Sequence, residues 1–409
     1  MNKCFITKLP SSVDNDNLPV LGQLRINWLK QSNLTDNDVR AIGLQTNDKI
    51  TVKVSGAHFT DSTLTSNLGN TKTITANDNL VYLYVSNDAD AVLTIDNKYS
   101  LLTITNLLKG KEDIARTLSF DIEDIKYCTN LMSISIYSTP VSGDISALSN
   151  LTNLQTLILK NTQVSGDISA ISKLTNIFSL SFYGSPISGD ISALSNFTNV
   201  QYIYLGNTQV DGNISVLSNL TNTSRLDLQN TNVVGDISAL SNLTKLNTLK
   251  MNNISVSGDI SALSNLTNLS YLGISKTQIS GNVDSLNNLT NLTYLGDLVG
   301  ISLTGDMSKI PINCGFISQN NRKVNTNFTW TAKGRQNATL LAMDGPVPFD
   351  TVSMDNMLID QATCTLKATE SMPWTKKIIV SGNRTSASDA AVTALQNMGV
   401  TITGVNKAS

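Results

Sequence analysis

The stretch GDISALSNLTNLSYLGISKTQIS, residues 258–280, decides the fold because close copies of it run through the middle of the chain. Its first glycine recurs every 23 residues, and one further copy follows after 24 residues, at Gly143, Gly166, Gly189, Gly212, Gly235, Gly258, Gly281 and Gly305. A fixed period of this length indicates a repeat architecture, in which each unit packs mainly against its neighbours.

Each copy contains the pattern L-x-x-L-x-L, for example at Leu269, Leu272 and Ile274. The alternation at its end predicts a short strand whose apolar side chains point to one side. Because one repeat cannot bury that side alone, we expect neighbouring repeats to stack and share a continuous core. Eight such strands would span about 38 Å at a spacing of about 4.8 Å. The glycine after each strand is expected at a tight corner.

The repeat resembles the leucine-rich repeat over residues 125–310. Threonine stands where that family usually has asparagine, at Thr139, Thr162, Thr208, Thr231 and Thr277. The SGDIS segment is similar both to bacterial internalin-like repeats and to the LxGxIP repeat of plant receptors. The resemblance implies an α/β repeat fold, a leucine-rich-repeat solenoid, and it implies little about function.

A column of aspartates follows the repeated glycines, at Asp144, Asp167, Asp190, Asp236 and Asp259. Each begins an Asp-Ile-Ser-Ala segment, which is typical of an N-capped helical turn. Stacked carboxylates about 5 Å apart are also a possible calcium site, since oxygen ligands suit that ion. Asn213 and Asn282 occupy the same position in two repeats, which capping tolerates, so we favour capping and predict no metal site.

The remaining side chains of the repeat strands are expected to face outward on a concave surface. Six of the ten tyrosines fall at these positions. Exposed aromatic residues are common in binding surfaces, although tyrosine also suits a half-buried strand for structural reasons. The sequence therefore predicts a ligand-binding concave face formed by Tyr137, Phe178, Tyr183, Tyr202, Tyr204, Arg225, Tyr271 and Tyr294, with Tyr183, Tyr202 and Tyr204 at its centre.

The two ends of the chain lack the repeat. Residues 1–20 are predicted to form an extended arm, residues 21–115 a β-rich anchoring module, residues 116–310 the solenoid and residues 311–409 a C-terminal α/β capping unit. Alternating β-branched runs in the anchoring module predict strands at Leu21–Trp28, Lys49–Ser55, Lys72–Thr75, Leu80–Val85, Ala91–Ile95 and Leu101–Thr105. The segment Leu34–Leu44 is expected to contain one or two helical turns.

The C-terminal segment alternates strand and helix patterns. We expect strands at Thr339–Met343, Lys377–Val380 and Val400–Thr403, and helices at Ser353–Cys364 and Ala390–Met398, the second begun by Ser386 or Ser388. Segments 381–391 and 399–403 look like the terminal unit of leucine-rich-repeat proteins from gut Bacteroidales and their phages. Segments 4–10 and 18–22 look like the openings of virion proteins of crAss-like phages.

Composition narrows the possible functions. Only 15% of residues are charged, the net charge is −2 and about a third of the residues are Asn, Ser or Thr, so no basic patch for nucleic acid is expected. No apolar run reaches the length of a membrane span, and the first ten residues do not read as a secretion signal. Cys4, Cys128, Cys314 and Cys364 are interpreted as buried thiols.

Catalysis is not expected. The single histidine, His58, is predicted in a solvated turn, and no nucleophile, phosphate-binding loop or set of metal ligands accompanies it. Asp227 stands alone on the concave face, where cleavage of a glycosidic bond would need a pair of carboxylates. We therefore predict no catalytic residues, no cofactor and a protein that is not an enzyme.

The leading hypothesis is a structural or adhesion protein of a phage particle, as a head-fibre or tail-fibre component located in the virion. Its expected partners are other virion proteins, contacted through the N-terminal module, and a host surface protein or glycan. We also expect a homo-oligomer, since fibres are usually symmetric, with no nucleic acid and no membrane insertion. The alternatives are a bacterial surface adhesin or an intracellular protein-binding scaffold.

Overall fold

A computed structural model of the chain describes residues 23–28, 39–59, 67–78, 81–85, 91–109, 118–296, 298, 300–311, 314–316, 327–331, 343–364 and 377–408. The chain folds into two compact units that divide between Ser142 and Gly143. The predicted arm, residues 1–20, and Cys4 lie outside the described residues. The predicted division into four domains stays a prediction.

The described part of the first unit contains ten strands. They are β1 (Leu24–Trp28), β2 (Val39–Thr46), β3 (Ile50–Ser55), β4 (Ala57–Phe59), β5 (Thr71–Ile74), β6 (Val81–Val85), β7 (Ala91–Ile95), β8 (Leu101–Lys109), β9 (Leu118–Ser119) and β10 (Ser133–Tyr137). Within this unit one antiparallel sheet has the order β5-β3-β7-β1-β9. The other strands are joined in the order β10-β8-β2-β6-β4, of which only the β10–β8 pair is parallel.

The alternation of apolar and polar residues explains why these segments form strands. In β3 and β7 every second side chain is buried, as the pleat of a strand with one covered face requires. Two local expectations were wrong. The part of Leu34–Leu44 that the structure describes lies in β2, because pairing with the long strand β8 outweighs its weak helical pattern. His58 lies in β4, opposite Tyr84 of β6, and not in a turn.

The repeat region forms two rows of short strands. In chain order they are β11 (Ser142–Asp144), β12 (Thr156–Lys160), β13 (Gln163–Asp167), β14 (Ser179–Ser181), β15 (Ile187–Asp190), β16 (Tyr202–Tyr204), β17 (Gln209–Asp211), β18 (Arg225–Asp227), β19 (Val234–Asp236), β20 (Thr248–Lys250), β21 (Ser255–Asp259), β22 (Tyr271–Gly273), β23 (Gln278–Asn282), β24 (Tyr294–Leu295), β25 (Ser302–Asp306), β26 (Gly315–Phe316) and β27 (Asn327–Thr329).

In the second unit the even-numbered strands β12 to β26 pair in parallel, each with the next, and form the long row. Equivalent residues face each other, as Leu157 faces Leu180 and Leu180 faces Ile203. The odd-numbered strands form a second row of parallel strands, β13-β15-β17 and then β19-β21-β23-β25-β27, which the sequence reading had not foreseen. Strand pairing therefore continues beyond residue 310, in β26 and β27.

The core of the repeat region is a stack of identical apolar columns. One apolar residue at the same repeat position in each strand from β12 to β24 is at most 1% exposed, at Leu157, Leu180, Ile203, Leu226, Leu249, Leu272 and Leu295. Beside them, the threonine column is buried. In four repeats the threonine Oγ1 donates to the carbonyl three residues earlier at 2.6–3.1 Å, at Thr162, Thr208, Thr231 and Thr277. The hydroxyls of these four threonines thus satisfy backbone carbonyls inside the core.

Each repeat has a 3-10 turn after its second strand, and the predicted capping is confirmed. The cap residue accepts a hydrogen bond of 2.7–2.9 Å from the backbone N–H two residues later, at Asp144, Asp167, Asp190, Asn213, Asp236, Asp259 and Asn282.

The repeated glycine does not form the corner after the long-row strand. That turn is made by left-handed residues such as Asn207, Asn230 and Asn253, whereas the glycine lies in or beside the second row.

The last segment of the second unit is a small α/β layer. A parallel sheet of β28 (Met343–Pro348), β29 (Lys377–Arg384) and β30 (Thr401–Lys407) alternates with α1 (Thr351–Gln361) and α2 (Asp389–Asn397). The ends of these helices lie within three residues of the predicted ones. The indole Nε1 of Trp330, directly after β27, donates to Asp360 of α1 at 2.7 Å. This buried hydrogen bond joins the end of the repeat region to the α/β layer.

Candidate functional site

The outward side chains of β12 to β24, together with the residue before and the residue after each strand and with Tyr183 and Gln229, form a surface that we call the concave face. Alternation places them opposite the buried leucine column, so their residue types are not dictated by the core. All the predicted binding residues of the second unit lie here. Tyr137 ends β10 in the first unit, where it is half-buried. Whether these residues bind a ligand stays a prediction.

A polar cluster surrounds Asp227 on this face. Asp227 Oδ1 accepts from the backbone N–H of Gln229 at 3.2 Å, and the Gln229 amide lies 3.4 Å from both Asp227 Oδ2 and the hydroxyl of Tyr183. Gly206 makes this approach possible, because a Cβ there would lie 2.7 Å from Asp227 Oδ1 and 3.0 Å from Tyr183 Cε2. Neighbouring residues therefore cover the Asp227 carboxylate, which the sequence places on the outward face.

Burial changes the chemistry of Asp227, which is only 4% exposed. Burial raises the pKa of its carboxyl, and this effect outweighs the hydrogen bond from Gln229 and the nearby charges of Lys250 and Lys160. The Lys250 Nζ lies 4.0 Å from Asp227 Oδ2, which is too long for a hydrogen bond. Asp227 therefore attracts Lys250 electrostatically without a direct hydrogen bond to it.

Two lysines of the concave face lie over tyrosine rings. Lys160 Nζ is 5.4 Å from the ring centroid of Tyr183, and Lys250 Nζ is 5.3 Å from that of Tyr271. Tyr271 also stacks on Tyr294, with centroids 4.3 Å apart and planes at 9°. Burial and the neighbouring Tyr294 raise the pKa of the Tyr271 hydroxyl, which therefore stays uncharged at neutral pH.

The other predicted residues are placed less closely together. Phe178, 39% exposed, meets Tyr202 edge to face at 5.3 Å between centroids. Arg225 begins β18 and is exposed, and Tyr204 ends β16 and is half-buried. The structure thus brings Phe178 to Tyr202 and Tyr271 to Tyr294, and it places Tyr183 in the separate cluster around Asp227.

Three polar members of the site were not among the predicted binding residues. Lys160, Gln229 and Lys250 belong to the same periodic outward positions as the tyrosines, so the period located them. The 23-residue spacing does not predict that Asp227 is buried. Its burial depends on Gly206 of the preceding repeat and on the position of the Tyr183 ring next to that glycine. The burial of Asp227 could not be predicted from residue types, because it depends on which residues of neighbouring repeats lie next to each other.

Two further observations concern other kinds of site. Among the described residues, no group of three or more His, Cys, Asp or Glu side chains is placed to hold a metal ion. Within the same residues, no helix is long and apolar enough to cross a membrane. Cys128, Cys314 and Cys364 are buried thiols, as predicted, and burial raises the pKa of Cys128 to about 11.

The structure is similar to solved proteins built from leucine-rich repeats. An internalin (inlF) from Listeria monocytogenes is 23% identical with a TM-score of 0.53, over 76% of this chain and 84% of that one. The plant peptide hormone receptor RGFR1, in complex with RGF2, is 18% identical with a TM-score of 0.51, over 70% of this chain and 48% of the receptor. The chain thus spans about half the length of that receptor.

A second Listeria monocytogenes protein, internalin C2, is 30% identical with a TM-score of 0.40, over 51% of this chain and 82% of that one. No protein-family model and no curated protein matches the sequence.

Proposed function

Because this chain is a leucine-rich-repeat protein, we propose that it is a non-enzymatic binding protein whose concave face takes a protein partner. The observation that carries the proposal is the arrangement of aromatic and basic side chains at outward positions, with Lys160 on Tyr183 and Lys250 on Tyr271. The repeat core needs none of these residue types outward, and tyrosine and arginine are among the residues that dominate binding energy in interfaces. The receptor RGFR1, of the same fold, is itself in complex with RGF2.

Photo-cross-linking of the full chain tests this proposal. One variant carries Tyr204→p-benzoylphenylalanine on the concave face, and the matched control carries Val234→p-benzoylphenylalanine on the exposed second row. Each is incubated with host cells or host extract and irradiated, and adducts are identified by mass spectrometry. We expect one specific protein adduct at position 204 and none at position 234. Adducts formed only at position 234 would refute the assignment of the concave face.

Loss of the central tyrosines gives the second measurement. Once the adduct is known, the triple variant Tyr183→Ala, Tyr202→Ala and Tyr204→Ala should weaken binding of that partner at least about 100-fold, since interface tyrosines commonly contribute more than 1 kcal/mol each. Val234→Ala removes a side chain of the second row and should leave the affinity unchanged. Equal affinity of the triple variant and the unmodified chain would exclude these tyrosines as the centre of the site.

The more specific form of the proposal is a phage particle component, a head-fibre or tail-fibre protein. Its N-terminal module would contact other virion proteins and its solenoid would be displayed, as a homo-oligomer. The likeness of both ends of the sequence to virion proteins supports this form. Mass spectrometry of purified particles, secreted fractions and cytosol separates it from a bacterial surface adhesin and from an intracellular scaffold. Absence from particles would refute the virion assignment and leave the binding proposal intact.

A further inference from the structure

The charged residues of the concave face differ in sign from the chain as a whole. Its outward positions from β12 to β24 carry the cations Lys160, Arg225 and Lys250 and a single carboxylate, Asp227, which is buried. The whole chain has a net charge of −2. A face that is basic on an acidic chain selects a partner of opposite charge, because complementary potentials steer encounter and suppress wrong partners.

The two lysines are held in place before any ligand arrives. The ring of Tyr183 supports the ammonium of Lys160, and the ring of Tyr271, itself stacked on Tyr294, supports that of Lys250. Both lysines lie close enough to Asp227 for their charges to act on its carboxyl. Fixing a long side chain in this way lowers the entropy that binding would otherwise cost.

The rings of Tyr183 and Tyr271, which carry the two lysines, are poorly placed for stacking on a sugar. Tyr271 has Tyr294 on its ring at 4.3 Å and Lys250 at 5.3 Å from its centroid. Tyr183 has Lys160 over its ring and an edge against Gly206. A pyranose needs an open aromatic face, whereas here mainly hydroxyls, ring edges and ammonium groups are offered. These groups suit the oxygen atoms of a polypeptide and its carboxylates.

The glycines beside the stack are covered by side chains. Gly273 and Gly296 are buried, and a Cβ at each would lie 2.8 Å from Asn252 Nδ2 and 3.3 Å from Tyr294 Cε1 respectively. Asn252 Oδ1 also accepts from the N–H of Ser275 at 3.0 Å. The ring pair that supports Lys250 is therefore packed against its own repeats.

We propose that the concave face binds an extended acidic segment of a protein partner, with carboxylate side chains at Lys160 and Lys250. This inference rests on the proposed function and specifies its partner by chemistry. Asp227 lies 4.0 Å from Lys250 and is buried, so it is shielded from the incoming carboxylates.

Fluorescence anisotropy with defined peptides tests the inference on the full chain. The probe is a fluorescein-labelled peptide of alternating Glu and Ser, and its matched control has Gln for every Glu. We expect the Glu peptide to bind at least about tenfold more tightly at low salt, with most of the difference lost as salt screens the charges. Lys160→Gln and Lys250→Gln should each weaken the Glu peptide by about 3-fold to 10-fold.

The control variant is Lys245→Gln, because Lys245 is exposed in the turn before β20, away from the outward strand positions. It should leave the affinity unchanged. Equal affinity for the Glu and Gln peptides, or equal losses in Lys245→Gln and Lys250→Gln, would overturn the inference. Tighter binding of an oligogalacturonate than of the Glu peptide would overturn the choice of a protein ligand. If a specific partner still cross-links at position 204 while the Glu peptide fails, only this inference falls.

Discussion

At the scale of single residues, the repeated glycine and the repeated cap residue form one unit that couples neighbouring repeats. The carboxylate of Asp167 packs over Gly189 of the next repeat, where a Cβ would lie 2.4 Å from Oδ1. Gly189 also has φ +96, a conformation that side-chain-bearing residues rarely adopt. The glycine column is therefore required twice, by its own backbone and by the cap of the preceding repeat.

Gly189→Ala should lower the free energy of unfolding by about 2 kcal/mol or more, because strain at positive φ and the clash with Asp167 add. In an Asp167→Ala background the clash is relieved, so the same glycine substitution should cost at least about 0.5 kcal/mol less. Urea denaturation of the four chains of this double-mutant cycle measures both values.

Gly399→Ala is the matched control for this cycle. Gly399 also has a positive φ, of +78, but nothing lies within 4 Å of a Cβ there. The loss in free energy of unfolding caused by Gly399→Ala should come from backbone strain alone and should not depend on Asp167. A coupling energy of zero between Gly189 and Asp167 would show that the cap does not restrict the glycine.

At the scale of elements, the 3-10 turns depend on ionised caps. Hydrogen bonds from Ser169, Ser238 and Ser261 lower the pKa of Asp167, Asp236 and Asp259 respectively. Since the pKa in the folded state lies below its unfolded value of about 4, each cap contributes stability above that pH. This contribution is lost as the pH falls through the two pKa values.

The triple variant Asp167→Asn, Asp236→Asn and Asp259→Asn should flatten this pH dependence. An amide oxygen still caps the turn, as Asn213 and Asn282 do in two repeats. Thermal melting between about pH 5 and about pH 3 should therefore show a smaller loss of stability than in the unmodified chain. Asp211→Asn, which changes an exposed carboxylate that caps no turn, serves as control. An identical pH profile for the triple variant would contradict ionised capping.

At the scale of the whole repeat region, stability is a sum over neighbours. Equivalent residues pair strand by strand, as Leu226 with Leu249 and Leu249 with Leu272, so each repeat meets the next through the same interface. A repeat array of this kind behaves as a one-dimensional chain of units and interfaces. Removing one whole period should leave every remaining interface in register.

Deletion of residues 235–257, one 23-residue period, should give a folded chain that is less stable than the original. It joins Val234 to Gly258, which is the residue that follows the equivalent position in the next repeat. Circular dichroism and urea denaturation should show a cooperative fold with a lower free energy of unfolding.

The control is deletion of residues 235–246, about half a period, which puts polar residues into the leucine columns. We expect the repeat region of this variant to be unfolded. Equal damage by the two deletions would mean that the period is not the unit of the fold.

The sequence by itself determined the period, the buried leucine columns, the capped turns and the outward positions, because a short repeat fixes them through local spacing and each copy repeats the evidence. The sequence also located both C-terminal helices, because the residues that begin and end a helix are local signals. It missed the second row of strands, because β13 and its relatives contain Ser-Gly-Asp and become strands only when neighbours pair with them. Only the tertiary structure decided that Asp227 is buried and that Lys160 and Lys250 lie on tyrosine rings. Those contacts join residues at least 21 positions apart in the chain, and their geometry depends on which neighbour is a glycine.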